Sequence, residues 1–235
     1  GGVGDGGRLA YNDNAIPMKR MNEERSLAMA VAVLVGVSSQ AQITKLFVSS
    51  YDNNVWLDFA STPPSLNYTG QGGGFEGCAH AEDNDGNTLF WVQAVGAYDA
   101  TNTPMAGSLG MYADPSSAEI NICPIPGDAN KFYVIYNDQV CSPLYYSIID
   151  MTLNGGLGDV VPGTLNTLID AASYSEGLEI VRVPCQPYLW LLAYDCNQGP
   201  VRFRIDADGI ADPELLQNFP SPSGYDGRGE FDYHN

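Results

Sequence analysis

Two short clusters of acidic and amide side chains carry the spacing of a cation loop. Asp83-x-Asp85-Gly86-Asn87 sets oxygen donors at alternate positions, as the opening of a calcium-binding loop does, and makes Asp83, Asp85 and Asn87 the metal candidates. The twelfth position of that loop, where an EF-hand needs a bidentate Glu, is Ala94. The preferred reading is a hairpin turn that uses Asp, Gly and Asn for backbone reasons. Asp206-x-Asp208-Gly209 has the same ambiguity and the same preferred answer. Calcium is thus the one cofactor the residues suggest. Glu76, Glu119, Glu176 and Glu179 could supply the paired carboxylates of glycoside hydrolysis. Their recurrence at corresponding places along the chain favours a structural role, so no catalytic residue is assigned.

Other chemistries find little support. The glycine loop Asn154 to Asp159 lacks the lysine and following helix of a phosphate-binding loop. No serine sits in a GxSxG elbow, and His80 and His234 offer little choice of general base. Tyr98, Tyr112, Tyr145, Tyr146, Tyr174, Tyr188 and Trp190 could stack on sugars, although filling space between sheets is the simpler role. Five cysteines occur, at 78, 123, 141, 185 and 196, with no CxxC spacing, which argues against structural zinc. An odd number leaves at least one thiol outside any internal disulfide. Cys141 and Cys196 each follow an aromatic strand of a repeat, so they form the disulfide candidate; the alternative is buried free thiols.

The elements that must position these residues repeat one plan: a short apolar strand, a tight polar turn and an aromatic strand. It appears in Glu76 to Val92, Glu119 to Tyr136 and Glu176 to Tyr194. Glu76-Gly77 and Leu89-Phe90 recur as Glu176-Gly177 and Leu189-Trp190; Glu119-Ile120 and Pro124 are answered by Glu179-Ile180 and Pro184. Hairpins recurring every ~40 to 60 residues indicate a blade-built β-protein. Turns are expected at Asp83 to Asn87, Pro126 to Asn130 and Asp206 to Gly209. Further strands are read at Ile43 to Ser49, Val55 to Phe59, Leu144 to Met151 and Pro200 to Ile205. A loop is expected from Pro63-Pro64 through Gly70 to Gly74, and a polar connector from Thr101 to Ser117. The tail from Asp212 is rich in Pro, Ser and Gly, and Gly224 to Asn235 resembles the start of another strand. The expected fold is all-β, a partial β-propeller of repeated antiparallel blades, with an open β-sandwich-like domain as the alternative.

Charge and the N-terminal region address location. The chain has 28 acidic and 10 basic residues, a formal net charge of −18. That surface repels nucleic-acid phosphates and anionic lipid, so neither is an expected partner. Met18, Lys19 and Arg20 precede the apolar run Leu27 to Val37 and the small-residue ending Ser38-Ser39-Gln40-Ala41. This order reads as a signal peptide over 18–41, too short in its apolar part for an ordinary membrane span. Residues 1–17 are glycine-rich and patternless and are read as unstructured sequence upstream of the start. Residues 42–235 form the β-propeller-like domain, expected to be truncated at its C-terminus, with no membrane insertion after signal removal.

Several stretches resemble the N-terminal β-propeller-like region of large secreted surface proteins of Bacteroidota, of the gliding-motility-associated or type IX secretion sorting-domain kind. They are Trp56-Leu57-Asp58-Phe59, Glu76-Gly77-Cys78-Ala79, Asp85 to Phe90, Pro124 to Tyr136 and, most specifically, Tyr146 to Val160 (YSIIDMTLNGGLGDV). The resemblance covers about residues 46 to 235 and departs where Phe90-Trp91-Val92 stands in place of the commoner tyrosine. It implies export to the cell surface or medium and a role in adhesion or binding, with an extracellular protein or glycan as partner. No catalytic residue carries over. The expected protein is a non-enzymatic surface scaffold; the alternatives are a secreted carbohydrate-active propeller and a spacer in a surface filament.

Overall fold

A computed structural model describes residues 45–48, 52–71, 77–94, 96–113 and 120–217. The segment 1–17, the signal-like segment 18–41, Glu76, Glu119 and the tail strand read at 224–235 lie outside the described residues. So do 72–74 of the glycine loop and 114–117 of the connector.

The described chain is all-β, with antiparallel sheets, none of them closed. β1 (Lys45–Val48), β2 (Val55–Asp58) and β3 (Ser65–Tyr68) form one three-stranded sheet in that order. β4 (Cys78–Glu82), β5 (Thr88–Gln93) and β6 (Gly96–Asp99) form a second. The third sheet holds β7 (Ile120–Ile125), β8 (Asp128–Asn137), β9 (Ser142–Asp150), β10 (Asp159–Val160), β11 (Thr167–Arg182), β12 (Leu189–Asp195), β13 (Gly199–Asp206), β14 (Gly209–Ile210) and β15 (Glu214–Leu215). No helix among the described residues is long and apolar enough to cross a membrane.

Alternation along the central strands explains the layering. In β5, Phe90 and Val92 face β8 and β9, while Trp91 faces the sheet of β1 to β3. In β8, Phe132, Val134 and Tyr136 join that same core, and Tyr133 and Ile135 turn the other way, onto β11 to β13. Strands covered on both faces read as nearly continuous apolar runs, as KFYVIY does. Burying each such large apolar side chain stabilises the fold by roughly 1.5–3 kcal/mol. Core therefore fills three gaps between four packed layers: the first sheet, the second sheet, and the β7–β9 and β11–β13 parts of the third.

β11 joins two of these layers. Its first half pairs with β9, from Thr167↔Tyr146 to Tyr174↔Ser142, and its second half pairs with β12, from Leu178↔Ala193 to Arg182↔Leu189. Register shifts around Tyr174 mark where the strand changes partner. The sequence pattern places the strand only from Glu176, because Thr167 to Ser175 carries no clean alternation. Its pairing is decided by β9.

Other departures are local. Ser65 to Tyr68, read within a loop, is an edge strand paired to β2, with every residue exposed. The connector after Thr101 is not a free polar loop. Met105, Met111 and Ala113 enter the core, and Ser108 is buried with its hydroxyl accepting the Ala97 amide at 2.8 Å. The Pro-rich tail contributes β15, paired to Val201 and Arg202. The turn expected over Pro126 to Asn130 is tighter, because Ile125 already pairs with Asp128. Gly127, at φ 88°, takes the left-handed place after Pro126 that such a turn requires. Pro124 is tolerated in β7 because that strand forms the edge of its sheet.

Candidate functional site

The facing sides of the first two sheets enclose a cleft of about 330 Å³. The register pairs Lys45↔Asp58 and Trp56↔Asn67 put these four side chains on one face of the first sheet. Thr88, Trp91 and Asn102 line the opposite wall. Trp91 is fully buried and forms the floor: it stacks on Tyr98 at 4.0 Å and packs against Phe47 at 4.8 Å. Phe47 also packs on Trp56 at 4.7 Å, so a connected set of rings holds the half-buried Trp56 indole in place.

Local hydrogen bonds set the polar groups. Asp99 Oδ1 accepts the Thr101 amide at 2.8 Å, the Thr101 hydroxyl at 2.6 Å and the Thr103 amide at 3.0 Å. That turn holds Asn102 in a left-handed conformation, φ 64°, which Asn tolerates. Asn102 Oδ1 then accepts the Trp91 indole N–H at 3.0 Å. Asp58 Oδ1 accepts the Ala60 amide at 2.9 Å. His80 meets Trp56 edge-on at 5.0 Å, with its Nε2 3.5 Å from Glu82 Oε1. Burial outweighs the Glu82 carboxylate and lowers the His80 pKa, favouring the neutral ring. An indole face beside amides, a hydroxyl, an ammonium and one carboxylate can stack on an apolar ring face and hydrogen-bond hydroxyls around its rim.

A larger cleft, about 570 Å³, opens between β7 and the second half of β11. Asn121 Nδ2 bridges its strands by donating to the Leu178 carbonyl at 3.1 Å. Ile122, Pro124, Ile180 and Val181 line it beside the charged Glu179 and Arg182. Burial pushes the Cys123 thiol up to about 12 against the opposing pull of Arg182. It is therefore a protonated core group rather than a nucleophile. The smaller cleft concentrates more recognition chemistry.

The metal candidates form the β4–β5 turn. Asp83 Oδ1 accepts the Asp85 and Asn87 amides at 2.9 and 2.8 Å, and Asn87 Nδ2 donates to Asp83 Oδ2 at 3.0 Å. The Asn87 side chain and the turn amides hold the Asp83 carboxyl below its ordinary range. Asp206 Oδ1 likewise accepts the Asp208 amide at 2.9 Å, and its Oδ2 pairs with Arg204 at 3.1 Å. No group of three or more His, Cys, Asp or Glu residues converges as a metal-holding set among the described residues. Glu176 and Glu179 both lie on β11.

Cys141 and Cys196 are joined as a disulfide, with Cα atoms 6.0 Å apart; Cys123 and Cys185 are free thiols. The aromatic candidates are dispersed. Tyr112 meets Tyr145 and Tyr133 meets Tyr146 edge-on, and Tyr174 is buried. Tyr188 and Trp190 lie beneath Arg204 and Arg202, at 4.6 and 4.2 Å.

Asn67 and Asn102 are not singled out by sequence, Trp56 is named there only in the family resemblance and not as a site residue, and three buried polar residues at the ends of central strands are not singled out either. Gln93, Asn137 and Asp195 close β5, β8 and β12, respectively. The repeats contain the signal, since FWVQ, VIYN and LAYD each end an aromatic run on a polar residue. Gln93 Oε1 accepts from the Asn54 side-chain Nδ2 at 2.6 Å, and Asn137 Nδ2 donates to the Tyr174 and Ser175 carbonyls at 3.2 Å. Asp195 accepts the Asn197 amide at 2.7 Å and the Gln198 amide side chain at 2.8 Å. No protein-family model, curated protein or solved structure matches this chain.

Proposed function

We propose that this chain is an exported, cell-surface or extracellular binding module, non-enzymatic, that recognises a glycan in the cleft between its first two sheets. The observation that carries this reading is the cleft composition: Trp56 above a buried Trp91, rimmed by Asp58, Asn67, Thr88 and Asn102. Sugars present apolar C–H faces and arrays of hydroxyls, and an indole with short amide and hydroxyl side chains complements both. The cleft contains a single described carboxylate, Asp58, whereas glycoside hydrolysis ordinarily employs two. This composition favours holding a sugar over cleaving it.

The scaffold is of β-propeller type in this reading. Three hairpins of one plan stack face to face, and their central strands end on corresponding buried polar residues. Surface display draws on the signal-like order of residues 18–41 and on the likeness of residues 46–235 to secreted Bacteroidota surface proteins.

The test is a glycan array followed by calorimetry on the best ligand. Trp56→Ala is expected to weaken binding about five- to twelvefold, the loss of a stacking contact worth roughly 1–1.5 kcal/mol, while leaving the circular dichroism spectrum unchanged. An array with no bound glycan, or equal binding by the variant, would sink the assignment.

A further inference from the structure

We infer that a divalent cation of the calcium type binds where β8 ends and β11 changes partner, at Asn137, Asp138 and Ser175. Tyr174 marks the place in the fold, being the register partner of Ser142 in β9 and of Asp195 in β12. Asn137 is the last residue of β8 and is 0% exposed. Its Nδ2 donates to the Tyr174 and Ser175 carbonyls, both at 3.2 Å, which fixes the amide orientation and leaves Oδ1 as an acceptor. That oxygen is buried and receives no hydrogen bond. Ser175, also 0% exposed, has a buried Oγ with no partner, and Asp138 Oδ1 is likewise buried without a donor. Asp138 is held nearby, since its amide and that of Gln139 both donate to Ser142 Oγ at 3.2 Å.

The charge pattern of the chain points the same way. From Phe132 to Val181 there is no Lys, Arg or His, and none from Val183 to Val201. The segments meeting at this junction therefore bring the buried Asp138 oxygen there with no basic side chain of their own. A buried acceptor set of this kind is best complemented by a mobile cation. The donors are a carboxylate, an amide carbonyl and a hydroxyl, which are hard oxygen ligands suited to calcium and unsuited to zinc or copper. Neutral oxygens outnumber carboxylates, so the charge count is low and the affinity belongs with extracellular calcium modules, Kd about 10⁻⁴ to 10⁻³ M.

The experiment titrates calcium chloride into the chelator-treated full chain by calorimetry, with melting temperature followed in parallel. Wild type is expected to bind calcium in that range and to melt higher with calcium at about 10 mM, roughly ten times the weaker limit. Asp138→Asn and Ser175→Ala keep side-chain size; each is expected to weaken calcium binding at least about tenfold, with little change in the melting temperature of the calcium-free protein. Asp83→Asn with Asp85→Asn serves as the control and is expected to leave calcium binding intact. The assignment is overturned if wild type shows neither heat nor stabilisation, as when ordered water fills the site. It is also overturned if the control pair abolishes binding, or if Asp138→Asn and Ser175→Ala bind calcium as wild type does.

Discussion

Asn166 shows how a single polar residue can tie separate parts of the chain together. Its backbone sits at φ 55°, and its Oδ1 accepts both the Tyr136 hydroxyl at 2.8 Å and the Tyr112 amide at 3.0 Å. Its Nδ2 donates to the Gly110 carbonyl at 2.8 Å. The Tyr136 hydroxyl also lies 2.6 Å from the buried Ser147 hydroxyl. Burial pushes the Tyr136 pKa up to about 12, so the phenol stays protonated and donating across the physiological range. Tyr136→Phe removes that hydroxyl from beside the fully buried Ser147 and from Asn166. The expected cost is roughly 1–3 kcal/mol. It should appear as a lower urea midpoint with an unchanged denaturant slope.

At the scale of elements, β11 is the strand on which the third sheet depends. It spans Thr167–Arg182 and serves β9 with one half and β12 with the other. Cys141 precedes β9 and Cys196 follows β12, so their disulfide fastens the two partners beside the point where β11 passes between them. The Cys196 amide adds a hydrogen bond to the Ser173 carbonyl at 2.8 Å. Closing a loop with a sequence separation of 55 restricts the unfolded chain by about 4 kcal/mol in the chain-entropy account. Replacing both cysteines with serine is expected to cost about 2–4 kcal/mol, read from the urea midpoint under oxidising conditions. The same variant in reducing buffer should match reduced wild type.

Across the whole molecule, burial is uneven, and protection should follow it. The run Phe132 to Asn137 in β8 is buried on both faces, whereas every residue of β3 is exposed, with Leu66 at 54% and Tyr68 at 65%. Hydrogen exchange is expected to be slowest at Val134 and Ile135 and at least about tenfold faster in β3. Equal protection in the two strands would contradict this distribution of core.

The all-β class, the three hairpins and most turns are legible in the sequence because each rests on neighbours in the chain. Alternation decides a strand, and Gly, Asn, Asp and Pro decide a turn, within a few residues. Strand β3, the first half of β11 and the buried connector around Met105 were not legible, because a remote partner decides each of them. Leu66 becomes strand by pairing with Leu57, and Thr167 by pairing with Tyr146. The candidate sites divide in the same way. Asp83, Asp85 and Asn87 stood out because they are adjacent, and adjacency lets them satisfy one another in a turn. Trp56 and Asn102 are brought to one cleft, and Asn137 and Ser175 to one junction, only by sheets folding face to face. Sequence alone determined the β-rich class, the repeat and the strong negative charge, because those are properties of local pattern and composition. Tertiary structure decided which side chains share a space, because that depends on register and layering between residues far apart in the chain.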